Sequence, residues 1–571
     1  MAMPPPRSRS PTPTGPTLPS SSVPTWESNS TSTEIESNEA QLPTLDSSQA
    51  ETESNLPTNE PEELGYTSDG DKILSKEGHF KIYDVEKLKT MRLMERNKSR
   101  VSLTTDMWTS ISKKRGFMVI TAHIIDDSWK LQSRILSGSI VSGVDGYLLE
   151  WNINRKLSTL TVDNCTTNDA MIDLLLEKLG GDHIRCKSLF HVRCAAHILN
   201  LIVKDGLDVI KSSIVKVRDS VAYWTATQKR EETFEGAARQ LGITYGKNLS
   251  LDCPTRWNST FLMLQTAIKY RNAFGRLKLK DPQYKSCPND DDWNLAEEIC
   301  ERLEIFYKVT LLFSGTTYPT SNLFFPDVCD IKVKLSEWVC CGIDVVEEMA
   351  LNMLEKYDKY WDNTHGFLAV AVVLDPRFKM SLIEYYYIRI YGDHGVGMAE
   401  DIRKRCYDLL TLYQGKSSSK DCSESSSKAP PSTYLRDRTS LSDYLDQRKK
   451  TKIVHVKSEL DRYLEEEQLP MCDDFDILAW WKSNGLKYPV LQAIARDVLA
   501  VPVSTVASES SFSTSGRVVS PSRNRLHPKT LEALMCTQSW LAALENEEVP
   551  TINDEDMDVD DCMSDVTTVD D

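Results

Sequence analysis

Strand-like patterning over residues 99–165 gives way to helix-like patterning over most of 222–470, and this change restricts the fold more than any other feature of the chain. SRVSLTTDMW, GFMVITAHIID, WKLQSRILSGSIV and LSTLTVDN pack β-branched and apolar residues between polar turns, so each reads as a strand. NDAMIDLLLEKLG follows with an Asn/Asp start and a Gly-Gly stop, which marks a helix. SLFHV reads as a short fifth strand, and CAAHILNLIVKDGL as the next helix. Farther on, runs such as WNLAEEICERLEIFYKVTLLFSG and VVEEMALNMLEKYDKYWDN are helical. Residues 475–545 close with short helices around 480–481, 490–499 and 531–541. The order predicts an α/β core that carries a large all-α insertion and ends in a compact helical region.

Composition marks the boundaries. Residues 1–75 are rich in Pro, Ser, Thr and Glu and poor in large apolar groups, so they predict a disordered acidic tail. GKSSSKDCSESSSKAPPS at 415–432 predicts a Ser-rich linker, and 546–571 a second disordered acidic tail. Of the net charge of −17, residues 1–70 carry −9 and residues 545–571 carry −12, which leaves +4 for 71–544. A polyanionic partner is therefore compatible with the body of the chain, because local patches govern association. The 14 cysteines form no regular framework, and the N-terminal stretch lacks the apolar core of a signal peptide. FLAVAVVL at 367–374 is too short to span a bilayer. These features predict a soluble intracellular chain with reduced thiols and no membrane partner.

Two aspartates end strand-like runs: Asp106 in SLTTDMWTS and Asp163 in LTVDNCTTND. Carboxylates at neighbouring strand ends would offer hard oxygen ligands to Mg²⁺ or Mn²⁺. Two such ions about 3.5–4 Å apart can hold the attacking and leaving oxygens of a phosphoryl transfer. Each aspartate by itself is also an ordinary turn former or helix cap. Glu509 sits alone among small and hydroxylated residues in STVASESSFS. Cys186, His191, Cys194 and His197, spaced C-x4-H-x2-C-x2-H, are zinc-type ligands. They divide between two elements, however, so zinc is disfavoured against structural packing. GRVVSPSRNRLHPKT supplies Arg517, Arg523 and Arg525 as phosphate contacts or solvated surface. QRKKTK at 447–452 reads as a nuclear signal or a charged helix face. Trp480 and Trp481 read as core or dimer interface.

SLTTDMWTS, LTVDN, RCAAHILNLIVKDGL, CPTRWNSTF, LFSGTTYPTSNLFFP, LDPRFK and WWKSNGLKYPVLQAIARDVLAVPVSTVASESSFS occur in one order over about 78–545. This series resembles the hAT transposase superfamily, most nearly its ricesleeper-type members, which are zinc finger BED domain proteins of transposon origin. The resemblance implies an α/β RNase H-like core interrupted by a large all-α insertion, with a helical C-terminal dimerisation region and disordered termini. It implies boundaries at 78–221 for the first part of the core, 222–470 for the insertion and 471–545 for the dimerisation region. The family's three catalytic acids then fall on Asp106, Asp163 and Glu509, which would also hold divalent Mg²⁺ or Mn²⁺. Cys194 and His197, and Arg256 and Trp257, match motifs beside the family's active site. The resemblance implies that Trp257 stacks on a flipped base, as an indole face can, the other reading being that Trp257 is simply core.

Residues 1–98 depart from the family pattern, since they contain no cysteine and one histidine, His79, and so cannot build a Cys/His finger. The connection between the third and fourth strands, about 138–151, also has room for only two helical turns, so a shortened covering helix would leave apolar surface exposed. The implied function is a nuclear, dimeric, DNA-binding protein derived from a hAT transposase, domesticated and regulatory rather than transposing, with chromatin or transcription proteins as candidate partners. The alternative is an active metal-dependent transposase or nuclease using the three acids.

Overall fold

A computed structural model describes residues 76–110, 115–140, 144–179, 190–212, 214–253, 256–420, 457–472, 474–509 and 527–548. The terminal segments expected to be disordered lie outside these residues, apart from 546–548, as does the 447–452 basic run. After helix α1 (Lys76–Arg96), strands β1 (Val101–Ser110), β2 (Arg115–Ile125) and β3 (Leu131–Ile140) form an antiparallel meander. A short α2 (Val144–Glu150) leads to β4 (Leu157–Val162), which pairs parallel to β1. Helix α3 (Thr166–Leu179) precedes β5 (His191–Arg193), parallel to β4. The sheet order is β3-β2-β1-β4-β5. Both parallel neighbours of this small sheet are reached by crossovers, and such strands are buried on both faces. Val101, Leu103, Leu160 and Val162 accordingly have no exposed surface.

Helices then follow one another: α4 (Ala195–Ile210), α5 (Val215–Thr225), α6 (Gln228–Gln240), α7 (Trp257–Lys269), α8 (Arg271–Lys280), α9 (Asp290–Phe313), α10 (Ser321–Trp338), α11 (Asp344–Val373), α12 (Lys379–Tyr391) and α13 (His394–Lys420). One buried cluster runs through them. Close approach of α4 to α11 depends on Gly206, where an added Cβ would lie 2.5 Å from the Met353 sulfur. The Ser-rich stretch begins later than expected. Residues 415–420 complete the last turns of α13, and the rest of 415–432 lies outside the described residues.

The C-terminal region is moored to both the helices and the sheet. It comprises α14 (Glu459–Glu465), α15 (Ile477–Asn484), α16 (Pro489–Leu499) and α17 (Pro528–Glu548). LDPRFK is the clamp on the helical side. Asp375, fully buried, accepts from Arg377 Nε at 3.0 Å and Asn322 Nδ2 at 2.9 Å. Lys379, held at φ +50°, donates to the carbonyls of Tyr463 (2.6 Å) and Glu466 (2.7 Å) at the end of α14. A buried ammonium is tolerated where carbonyls replace its water. Trp481 donates its indole N–H to Leu374 O at 3.0 Å. Helix α16 starts with Pro489 at its first turn, a position that needs no N–H donor. It buries Leu491, Ile494, Ala495 and Val498 along one stripe. Its far end reaches the sheet: Asp497 accepts from the Arg100 N–H (2.8 Å) and the Tyr413 hydroxyl (2.5 Å), and Arg496 Nε donates to Ile125 O (2.7 Å).

The expectation that a short β3–β4 connection would bare the sheet is corrected here. Helix α2 has two turns, but α17 and α1 complete the cover. Trp540 of α17 donates to Ile135 O at 2.9 Å and stacks on Tyr83 of α1 at 5.5 Å between ring centroids. Leu148, Trp151, Leu531, Met535 and Trp540 are buried together against β2 and β3. A segment distant in sequence supplies the surface that the short connection lacks.

Candidate active site

Strand register sets the first pair of acids. Thr104 of β1 lies opposite Thr161 of β4. Continuing two residues along both parallel strands brings Asp106 beside Asp163. Asp163 follows the last residue of β4, as expected of a strand-end carboxylate. Asp106 does not end its strand. β1 continues to Ser110 because β2 keeps pairing with it, with Asp106 opposite Val119. Asp106 is available because β4 stops beside it.

The third acid is brought back by a segment that threads across the sheet end. Val503 O accepts from the Ala195 N–H (2.8 Å), and Pro502 O from the Thr161 hydroxyl (3.0 Å). Ser504 donates to Phe313 O at 2.7 Å. Residues 506–509 then enter a helical turn. The Ser508 hydroxyl lies 2.9 Å from that of Thr104 and 3.1 Å from that of Thr121, on neighbouring strands. The small side chains of STVASES let this backbone lie close to the sheet, and their hydroxyls find partners where burial would otherwise leave them unpaired. Ser504, Thr505 and Ser508 are all buried. The result is that Glu509 faces Asp163.

Cys194 and His197 complete the cluster. Cys194 extends the β4–β5 ladder through its N–H to Val162 O (2.8 Å) and then caps α4, its sulfur accepting from the His197 N–H (3.5 Å). One turn on, His197 Nδ1 lies 3.3 Å from Asp163 Oδ2. Ligand atoms of Asp163, Cys194 and Glu509 all fall within 4.8 Å of one another.

The charges are out of balance. Burial, then the Asp163 charge, pushes Glu509 up to about 7. Burial and the charges of Asp163 and Glu509 raise Asp106 well above the usual carboxylate range. Burial would raise Asp163 as well, but hydrogen bonds and charge from His197, with help from Cys194 and Thr505, hold it low. Burial would lower His197, and Asp163 more than reverses that. Burial and the nearby acids push the Cys194 thiol well up, in keeping with its place as the cap of α4. Three crowded carboxylates with a deficit of positive charge fit a hard divalent cation such as Mg²⁺ or Mn²⁺, which takes oxygen donors.

The same imbalance gives a stability prediction. Between its ordinary 4.5 and about 7, Glu509 keeps a proton in the folded chain that the unfolded chain has released, so stability falls as pH rises through that window. His197 acts in the same direction, its contribution being present below its ordinary value and lost as pH rises through the raised one. Asp163 acts oppositely and only at the acid end. In metal-free buffer, wild type should lose on the order of 2–3 kcal/mol relative to Glu509→Gln between about pH 5 and about pH 8. Thermal melts of both proteins check this, and parallel curves would contradict it.

The remaining expected residues distribute unevenly. Arg256 stands at the N-cap position of α7 and is half-buried. Trp257 is 4% exposed and packs in the helical core, the second of the two readings its sequence allows. Its position in the first turn of an amphipathic helix turns the indole inward. Arg517, Arg523, Arg525 and Cys186 lie outside the described residues. His191 and His197 diverge, with His191 Nδ1 3.8 Å from Asp169 and His197 beside Asp163. Thr505 and Ser508 carry no motif that marks them in the sequence, although a hydroxyl four positions before Glu509 in a helical turn is a signal for a contact.

Four family models match in chain order. They are the ZBED1 RNase-like domain over residues 104–189, the ZBED1 RNase-like helical domain over 192–302, the hAT-like transposase RNase-H fold over 322–413 and the hAT family C-terminal dimerisation region over 459–541. Among similar proteins, the putative AC transposase of Zea mays is 39% identical over 484 residues, covering 81% of this chain and 59% of that protein. Zinc finger BED domain-containing protein RICESLEEPER 2 of Oryza sativa subsp. japonica is 34% identical over 494 residues, covering 81% of this chain and 68% of that protein. Zinc finger BED domain-containing protein DAYSLEEPER of Arabidopsis thaliana is 33% identical over 470 residues, with 80% and 66% covered. The chain spans less than two thirds of the maize protein's length.

Proposed function

Because this chain belongs to the hAT transposase family and carries its RNase-H-like and C-terminal dimerisation regions, we propose that it is a homodimeric nuclear DNA-binding protein that keeps a metal-dependent strand-cleaving site. The observation that carries this is the convergence of Asp163 and Glu509, far apart in the chain, in one acid-rich cluster beside Asp106. In this reading residues 222–470 are the insertion that separates the last acid from the other two. Asp106, Asp163 and Glu509 hold Mg²⁺ or Mn²⁺, which when bound stabilises charge on a phosphoryl group under attack. His197 steadies Asp163 through its Nδ1 and stands ready to contact DNA. Arg256, Arg517, Arg523 and Arg525 contact phosphate, each adding salt dependence to the affinity. Chromatin or transcription proteins are partners of the same dimer.

A second reading, DNA binding and regulation without transposition, is favoured by the burial of Trp257, which withholds the base-stacking ring. Incubation of the purified protein with supercoiled plasmid and Mn²⁺ separates the two. Nicked circles that disappear with EDTA support a retained cleavage site. Salt-dependent DNA binding with no nicking supports regulation alone, and a monomer without DNA affinity overturns both.

A further inference from the structure

Thr505 occupies a place that packing alone does not explain. It has no exposed surface, and its backbone N–H points at the Cys194 sulfur (3.4 Å). Its hydroxyl lies 2.9 Å from Glu509 Oε1, 3.2 Å from Asp163 Oδ1 and 3.3 Å from Cys194 Sγ. One side chain thus touches both acids, though Thr505 and Asp163 are 342 positions apart.

A threonine at the head of a helical turn ordinarily turns its oxygen back to cap an N–H two or three residues on. Here the Ser508 and Glu509 N–H groups go to the Thr505 carbonyl, at 2.8 and 3.0 Å. The hydroxyl faces the carboxylates instead. The turn is held separately, because Ser508 bonds to Thr104 and Thr121 from the sheet side. The Thr505 hydroxyl therefore bears on where the Glu509 carboxylate points, while Ser508 bears on where its backbone lies.

We infer that Thr505 is a positioning residue that sets the spacing of the Asp163 and Glu509 carboxylates for a divalent cation. The inference rests on the proposed metal site and adds a residue to its support. Groups that orient metal-binding carboxylates typically change affinity by about 10–100-fold when removed. Valine preserves the shape of threonine and removes the hydroxyl, whereas serine preserves the hydroxyl and removes a methyl.

The test is Mn²⁺ affinity of the full chain, read from the electron paramagnetic resonance signal of free Mn²⁺, with a thermal melt of each protein. Thr505→Val should bind Mn²⁺ about 10–100-fold more weakly than wild type, and Thr505→Ser within roughly threefold of it. Should Thr505→Val fail to fold, Thr505→Ala is read in the same assay with the same expected loss. Thr505→Val or Thr505→Ala binding as tightly as wild type, while Asp163→Asn is weakened, overturns the role of Thr505 and leaves the metal site standing. Equal Mn²⁺ binding by wild type and Asp163→Asn overturns the metal site and this inference with it.

Discussion

Asp163→Asn is expected to reduce Mn²⁺-dependent plasmid nicking by on the order of 10³-fold, with folding and DNA binding retained. Asparagine keeps the shape of aspartate and an oxygen that can still accept from Thr505. It removes the charge that His197 pairs with and that a cation would meet. Several kcal/mol of stabilisation of developing phosphoryl charge go with it, and each 1.36 kcal/mol is about tenfold in rate. The fold should tolerate the change, because the substitution relieves the repulsion that, after burial, raises Asp106 and Glu509. Glu509 should titrate closer to its ordinary value in this variant. Nicking by Asp163→Asn at a rate within about threefold of wild type would show that another group holds the reacting phosphate.

The second large effect is structural. Trp481→Ala is expected to destabilise the protein by about 3–5 kcal/mol. Trp481 is fully buried, its indole N–H is bonded to Leu374 O, and its ring packs against Tyr463 at 5.7 Å. Truncation leaves a large cavity and an orphaned carbonyl on α11. Trp480, half-buried beside it, should cost much less. The consequence reaches the site, because α15 and α16 lead directly to Val503 and Glu509. Urea denaturation of Trp481→Ala and Trp480→Ala measures the difference, and equal losses would argue against the mooring described above.

What could be read in the sequence follows the range of the forces involved. The five strands and α4 were legible because local runs of β-branched residues and a long apolar stripe specify them. Asp163 was legible because its strand runs into polar turn residues. The full length of β1 was not, because the partner that extends it past Asp106 is β2, and pairing decides where a strand stops. Glu509 had no local signature of chemistry and could be assigned only through resemblance. Its seat depends on Thr505, Ser508 and Cys194 meeting across segments hundreds of residues apart. The cover over β3 is not legible locally for the same reason, since Trp540 arrives from the other end of the chain. Trp257 shows the opposite limit: resemblance points its ring at DNA, whereas its place in the first turn of α7 buries it in the core of this structure.

We propose that Asp106, Asp163 and Glu509 share one divalent cation. Iron-directed cleavage tests it most directly. Fe²⁺ bound in place of Mg²⁺ or Mn²⁺, with ascorbate and peroxide, generates oxidants that cut the backbone near the ion. The prediction is cleavage close to residues 106, 163 and 509 together, suppressed by excess Mn²⁺ and lost in Asp163→Asn. Cuts at only one of the three segments, or cuts unaffected by Mn²⁺, would contradict a shared site.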